Sequence, residues 1–162
     1  MEKEIVLAGG CFWGVQEFFR RAQTKAQISG YSQGKVFRPT YQQVCTGLTG
    51  HAEVVKIVYD PEVISLARIL ELYLRIIDPT LVNQQGNDIG PQYRTGIYYT
   101  DESDRELIVE TLKKEQEKHN KPLVVEVEKL HNFFIAEDYH QDYLVKNPRG
   151  YCHVDMSLLE DA

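Results

Sequence analysis

"KEIVLAGGCFWGVQEFFRRAQ", residues 3–23, decides the fold. Its first half is an apolar run, Ile5 to Ala8, with the β-branched content strands favour, and it stops at Gly9 and Gly10. Its second half places Trp13, Val15, Phe18, Phe19 and Ala22 close to helical spacing. A strand that turns on glycines straight into a helix predicts an α/β unit, with Cys11 at the turn.

Working outward, "AQISGYSQG" (26–34) and "AEVVKIVYD" (52–60) read as strands. "PEVISLARILELYLRIID" (61–78) is a helix that Ser65 can cap and Asp78-Pro79 stops. "TGIYYT" (95–100) and "PLVVEVEKL" (122–130) read as further strands, on either side of a charged helix capped near Asp101. "AEDYHQDYL" (136–144) reads as a short helix. Residues 35–51 and 80–94 read as long loops, and 146–162 as a coil-like tail with freedom to move. Strands and helices alternate without repeats or linkers. The expectation is one α/β (α+β) domain over 1–162, two layers deep, with a mixed β-sheet covered by helices.

The totals narrow the function. A chain of 162 residues, 43% hydrophobic and 26% charged, has the composition of a soluble globular protein. The net charge of −6 offers no basic stripe for nucleic acid. Ile5–Ala8 is too short for a secretory core or a membrane span, so no membrane partner is expected. Three cysteines without paired spacing do not read as a secreted disulfide framework, and a cytoplasmic setting is expected.

At a helix start, Cys11 meets free backbone N–H groups and the positive end of the helix dipole, which favour a reactive thiolate. The competing reading is a small buried hydrophobe, and position alone leaves both open. Gly9 and Gly14 match the outer glycines of a phosphate loop, but Val15 and Gln16 stand where Lys and Ser/Thr are needed. The cysteines form no C-x-x-C pair, and His131, His140 and His153 fit no zinc-ligand spacing, so neither metal nor cofactor is expected.

"GGCFWG" (9–14) resembles the signature of the A-type peptide methionine sulfoxide reductases. "PTYQQVCTGLTGHAEVVKIVYDP" (39–61), "QGNDIGPQYRTGIYY" (85–99), "AEDYHQDYL" and "KNPRGYC" (146–152) resemble the family's other blocks, in its order. The resemblance implies that Cys11 attacks the sulfoxide sulfur and becomes a sulfenic acid. It implies that Glu53 is the acid, that Tyr41 and Tyr93 hydrogen-bond the sulfoxide oxygen, and that Asp88 organises polar groups in the site. Phe12 and Trp13 resemble the apolar wall for the substrate methyl group, which leaves the S epimer productive. Cys152 resembles the resolving thiol, giving a Cys11–Cys152 disulfide that thioredoxin reopens. Substrates would be oxidised proteins or free methionine sulfoxide, and a monomer is expected. Cys45 matches a position expected to be buried and inert, while His140 and Tyr143 are expected mainly to pack. The competing classes are a thiol peroxidase, a cysteine hydrolase with a His base on the thiol, and a non-catalytic module that recognises oxidised methionine.

Overall fold

The opening strand becomes β1 (Lys3–Gly9), and in the structure, a computed structural model describing residues 1–159, it lies inside a six-stranded sheet. Ile5 to Ala8 are fully buried, as a strand covered on both faces requires of an unbroken apolar run. β1 pairs antiparallel with β3 (Ala52–Tyr59) on one side and β6 (Thr95–Tyr99) on the other. β2 (Ala26–Ser32) extends the sheet beyond β3, and β8 (Phe133–Ile135) closes that edge. At the other edge β7 (Glu126–Lys129) runs parallel to β6, so the order is β7-β6-β1-β3-β2-β8 and the sheet is mixed. That single parallel pair needs a crossover, which α4 (Arg105–Gln116) provides.

Strand alternation sorts the core. Ile5, Leu7, Val55, Ile57 and Ile97 pack with α1 (Phe12–Arg21), α3 (Leu66–Ile76) and α4 in the main cluster. Val6, Ala8, Ala52, Val54 and Tyr98 form a smaller cluster that Leu130 and Phe133 cover. Ser65 caps α3 as expected, accepting from the Arg68 N–H at 3.1 Å. No helix among the described residues is long and apolar enough to cross a membrane.

Tyr73 of α3 anchors the sheet behind Gly9. It is fully buried, donates to the Ala8 carbonyl at 2.6 Å and accepts from the Gly96 N–H at 3.2 Å. A Tyr73→Phe substitution leaves both backbone groups short of a partner. It is expected to cost about 1–3 kcal/mol, read as a lower urea midpoint with an unchanged m-value.

Several expectations need correction. The loop at 35–51 contains α2 (Tyr41–Cys45), started by a capping box in which Thr40 and Gln43 each accept the other's backbone N–H, at 3.2 and 2.9 Å. The loop at 80–94 folds into the two-residue strands β4 (Gln84–Gln85) and β5 (Asp88–Ile89) and a 3₁₀ turn over Pro91–Tyr93. The short helix at 136–144 is instead a 3₁₀ turn (Asp138–His140) followed by α5 (Tyr143–Lys146). The tail is packed rather than free: Val154 is buried, Met156–Leu159 form a 3₁₀ turn, and Arg75 donates to the Leu158 carbonyl at 3.1 Å. Residues 160–162 of that tail lie outside the described residues.

Candidate active site

The site begins at the glycines. Gly10 has φ +85, and a Cβ there would stand 2.6 Å from the Gln85 Cβ, so only glycine fits this turn. The turn delivers Cys11 as the N-cap of α1, without a side-chain capping bond. The β1–β3 register, Leu7 opposite Val55, continued by two residues brings Gly9 opposite Glu53. The Glu53 carboxyl thus reaches the start of α1, where its Oε1 accepts the Phe12 N–H at 3.2 Å. An acidic group is favoured against the free N–H groups of a helix start.

Glu53 is only 1% exposed, and its Oε2 has no hydrogen-bond partner among the described residues. Burial pushes its pKa up to about 8; the Phe12 N–H pulls back, and the Asp88 charge pushes further. The carboxyl is therefore an acid with a spare oxygen, close enough to Cys11 for its charge to act on the thiol.

Position alone left Cys11 open between a reactive thiolate and a small buried thiol, and its surroundings weigh against the thiolate. Burial, then the Glu53 carboxylate, raise its pKa well above the ordinary thiol value, and the Trp13 N–H only partly opposes them. The helix start loses because desolvating a thiolate costs more than one oriented N–H returns. No histidine among the described residues has a hydrogen bond to Cys11. His140 Nδ1 accepts from Trp13 and His153 bonds the Gly9 carbonyl, so the arrangement a cysteine hydrolase needs is not present there.

The aromatic residues surround this pair. Phe12 is buried, its ring 5.7 Å from Tyr31 and 5.2 Å from His140, centroid to centroid. Trp13 is partly exposed, stacked on Tyr143 at 3.8 Å, with its Nε1–H donated to His140 at 3.0 Å. Tyr41 starts α2 with its ring 4.4 Å from that of His140. Burial and the Glu53 charge raise both the Tyr41 and Tyr93 phenols, so both keep a proton to donate. Asp88, half-buried on β5, adds to the push on Tyr93 and leaves its Oδ2 without a partner among the described residues. Cys11, Glu53, Tyr41, Tyr93, Asp88, Phe12 and Trp13 thus come together from five separate stretches of chain.

Cys152 arrives from the tail, against the same helix one turn further on: a Cβ on Gly14 would stand 3.1 Å from its sulfur. Its S–H donates to the Val154 carbonyl at 3.3 Å, and all three cysteines are free. Cys45 contradicts its expectation. It is exposed at the end of α2, where a five-residue helix does not carry it into the core, and its thiol meets the Tyr41 hydroxyl.

Three residues matter more than the sequence alone indicated. His140, expected mainly to pack, is 2% exposed and touches Phe12, Trp13 and Tyr41. Glu137 accepts from the Tyr31 hydroxyl and the Tyr41 N–H, both at 2.8 Å, and so holds α2 in place. Burial alone would raise Glu137, but these donors leave it below the ordinary carboxylate value. Buried Gln16 accepts from Ser29 Oγ and the Asp142 N–H, both at 2.9 Å, which docks the Asp138–Lys146 segment onto α1. The visible signal was a glutamine set within an apolar helical stretch and the polar spelling of "AEDYHQDYL".

No group of three or more His, Cys, Asp or Glu side chains among the described residues is arranged to hold a metal ion. The family model for peptide methionine sulfoxide reductase matches residues 3–162. The peptide methionine sulfoxide reductase MsrA of Ureaplasma urealyticum serovar 10 is 53% identical over 159 residues, 98% of this chain and 96% of its own length. Reduced Mxr1 from Saccharomyces cerevisiae is 36% identical with a TM-score of 0.89, over 93% of this chain and 88% of that one. Mxr1 in complex with Trx2 matches at 24% identity and a TM-score of 0.63, over 88% and 84%, a likeness of fold alone. With the family's motif blocks gathered around one buried thiol and one buried acid, this chain belongs to the peptide methionine sulfoxide reductase family, enzymes that return oxidised methionine to methionine.

Proposed function

We propose that the chain reduces the S epimer of methionine sulfoxide, free or in proteins, through a Cys11 sulfenic acid and a Cys11–Cys152 disulfide, as a repair enzyme of the cytoplasm. One observation carries the reading: a buried Glu53 carboxyl, raised to about 8, whose Oε2 has no partner among the described residues and whose charge acts on the Cys11 thiol. In the first step the thiol sulfur attacks the sulfoxide sulfur, and the oxygen passes to Cys11. Glu53 gives its proton to that oxygen and regains the proton of the thiol. The substrate sulfur gains two electrons, the Cys11 sulfur loses two, and the products are methionine and Cys11–SOH. Protonating the oxygen removes the charge that would otherwise build on it.

The phenols of Tyr41 and Tyr93 supply further donors to the oxygen, with Asp88 ordering the polar side of the site. Phe12 and Trp13 hold the methyl group, where sulfur–aromatic contacts contribute on the order of 1 kcal/mol each. Methyl against the rings and oxygen toward Glu53 leave one epimer productive.

In the second step the Cys152 thiol attacks the Cys11 sulfur. An S–S bond forms, the S–O bond breaks, and the hydroxyl leaves as water with the thiol's proton. A dithiol reductant of the thioredoxin class then opens the disulfide by exchange through a mixed disulfide. Three free thiols suit a reducing compartment, and the reading needs only one copy of the chain.

The test is a single turnover without reductant, using each epimer separately. About one methionine per enzyme is expected from the S epimer alone, with Cys11 joined to Cys152 in peptide maps. Methionine from neither epimer sinks the reading. A Cys152→Ser enzyme is expected to keep that first methionine while its steady-state rate with thioredoxin falls about 100-fold or more. Full turnover by this variant would remove Cys152 from the cycle.

A further inference from the structure

His153 has no role in the reaction as described, yet it ties the segment carrying Cys152 to the turn carrying Cys11. Its Nε2 lies 2.8 Å from the Gly9 carbonyl oxygen, two residues before the nucleophile. The ring sits over the two glycines of positive φ on either side of it. A Cβ on Gly10 would come 3.1 Å from Nε2, and one on Gly86 would come 3.2 Å from the His153 Cβ. A carbonyl only accepts, so Nε2 carries the proton and Nδ1 is a lone pair, buried without a partner among the described residues. Burial holds the imidazole below its ordinary pKa, so the ring is neutral and its tautomer is set by this one bond.

The neighbouring residues make this contact consequential. The Cys152 sulfur rests against Gly14, three residues beyond Cys11 on the same helix, about 4.5 Å along the axis at the usual rise. A disulfide requires sulfurs about 2.05 Å apart and both thiols are free, so the tail segment 151–154, a strap across the start of α1, must let the Cys152 sulfur approach Cys11 before the bond can form. Val154 packs on Gly14, and Tyr151 lies against the Asp88 carboxylate. His153 is the strap side chain bonded to the β1 turn itself, immediately beside the sulfur that moves.

We propose that His153 is a positioning residue for the resolving step: its bond to the Gly9 carbonyl pins the strap next to Cys152, so that this thiol swings about a fixed point onto Cys11. The inference rests on Cys152 being the resolving thiol. Pinning one end confines the thiol to the first turn of α1 and raises its effective concentration at the sulfenic acid.

The experiment is a single turnover with methionine-S-sulfoxide on the full chain, following methionine release by quench and Cys11–SOH by dimedone trapping. In His153→Ala, methionine release is expected within about threefold of wild type, while the sulfenic acid persists about tenfold longer or more. His153→Gln, whose amide N–H can still reach the Gly9 carbonyl, is expected to recover most of the resolving rate, and the shorter His153→Asn is not. A wild-type sulfenic acid lifetime in His153→Ala overturns the proposal. So does methionine release that falls as far as resolution, because His153 would then only brace the Cys11 turn. If the alanine variant does not fold, the Gln and Asn pair decides, and equal lifetimes in the two overturn it. Cys152→Ser runs alongside: a sulfenic acid that still resolves there defeats the Cys152 reading itself, whatever His153 does.

Discussion

A Cys11→Ser enzyme is expected to release methionine at less than about 10⁻⁴ of the wild-type rate, the scale on which removing a nucleophile acts in other enzymes. Taking the sulfoxide oxygen onto serine would need an O–O bond, so the hydroxyl cannot be the acceptor that the thiol is. The fold is expected to survive intact. Cys11 makes no side-chain capping bond at the start of α1, and serine is favoured at an N-cap. The thermal midpoint should therefore equal the wild-type value or exceed it slightly. Lost release with a retained melt assigns the loss to chemistry. Release at about a tenth of the wild-type rate would remove Cys11 from the oxygen transfer.

Glu53→Gln is the second large effect, and it is expected to lower kcat/KM by about 10²- to 10⁴-fold, the usual contribution of a general acid. The amide keeps an oxygen for the Phe12 N–H but has no acidic proton to give. With its pKa raised to about 8, Glu53 is roughly nine-tenths protonated at pH 7. Wild-type activity should then fall as pH rises through about 8, and the glutamine enzyme should lose that limb. Below that pH the protonated carboxyl no longer adds its charge to the burial that holds Cys11 as a thiol, so one of the two causes that raise the thiol is removed.

The same shift has a stability consequence of definite sign. The folded protein holds the Glu53 proton more tightly than the unfolded chain, whose carboxyl titrates near the ordinary 4.5. Its contribution is complete below pH 4.5 and is lost as pH rises toward about 8. Unfolding free energy measured across that range should decline in wild type, and the Glu53→Gln enzyme should lack that part of the decline. A flat kcat/KM above pH 8 in wild type would show that Glu53 is not the titrating acid.

The legible part of this protein was local. Ile5–Ala8 ending in two glycines, and the stripe that follows, specify a strand, a turn and a helix from their own periodicity, and β1 and α1 form there. The β-branched run at 52–59 and the capped helix at 66–76 were legible for the same reason. The two loops were not. α2 is five residues long and depends on a capping box, while β4 and β5 are two residues each, too short for any periodic signal. β8 was missed because Phe133–Ile135 becomes a strand only by pairing with β2.

The motif blocks carry the candidate site residues by their resemblance to the family. What they do to one another belongs to the fold. A helix start favours a Cys11 thiolate and a small buried thiol was the alternative; burial and the Glu53 charge push its pKa up. Cys45 was expected inside and stands outside, while His140 packs as expected, against Phe12, Trp13 and Tyr41. The amino-acid sequence by itself determined the strand–turn–helix that presents Cys11, because backbone preference and periodicity act within a few residues. Only the tertiary structure decided the protonation of Cys11 and Glu53 and the docking of the tail on Gly14, because desolvation and packing depend on groups that the chain brings together from far apart.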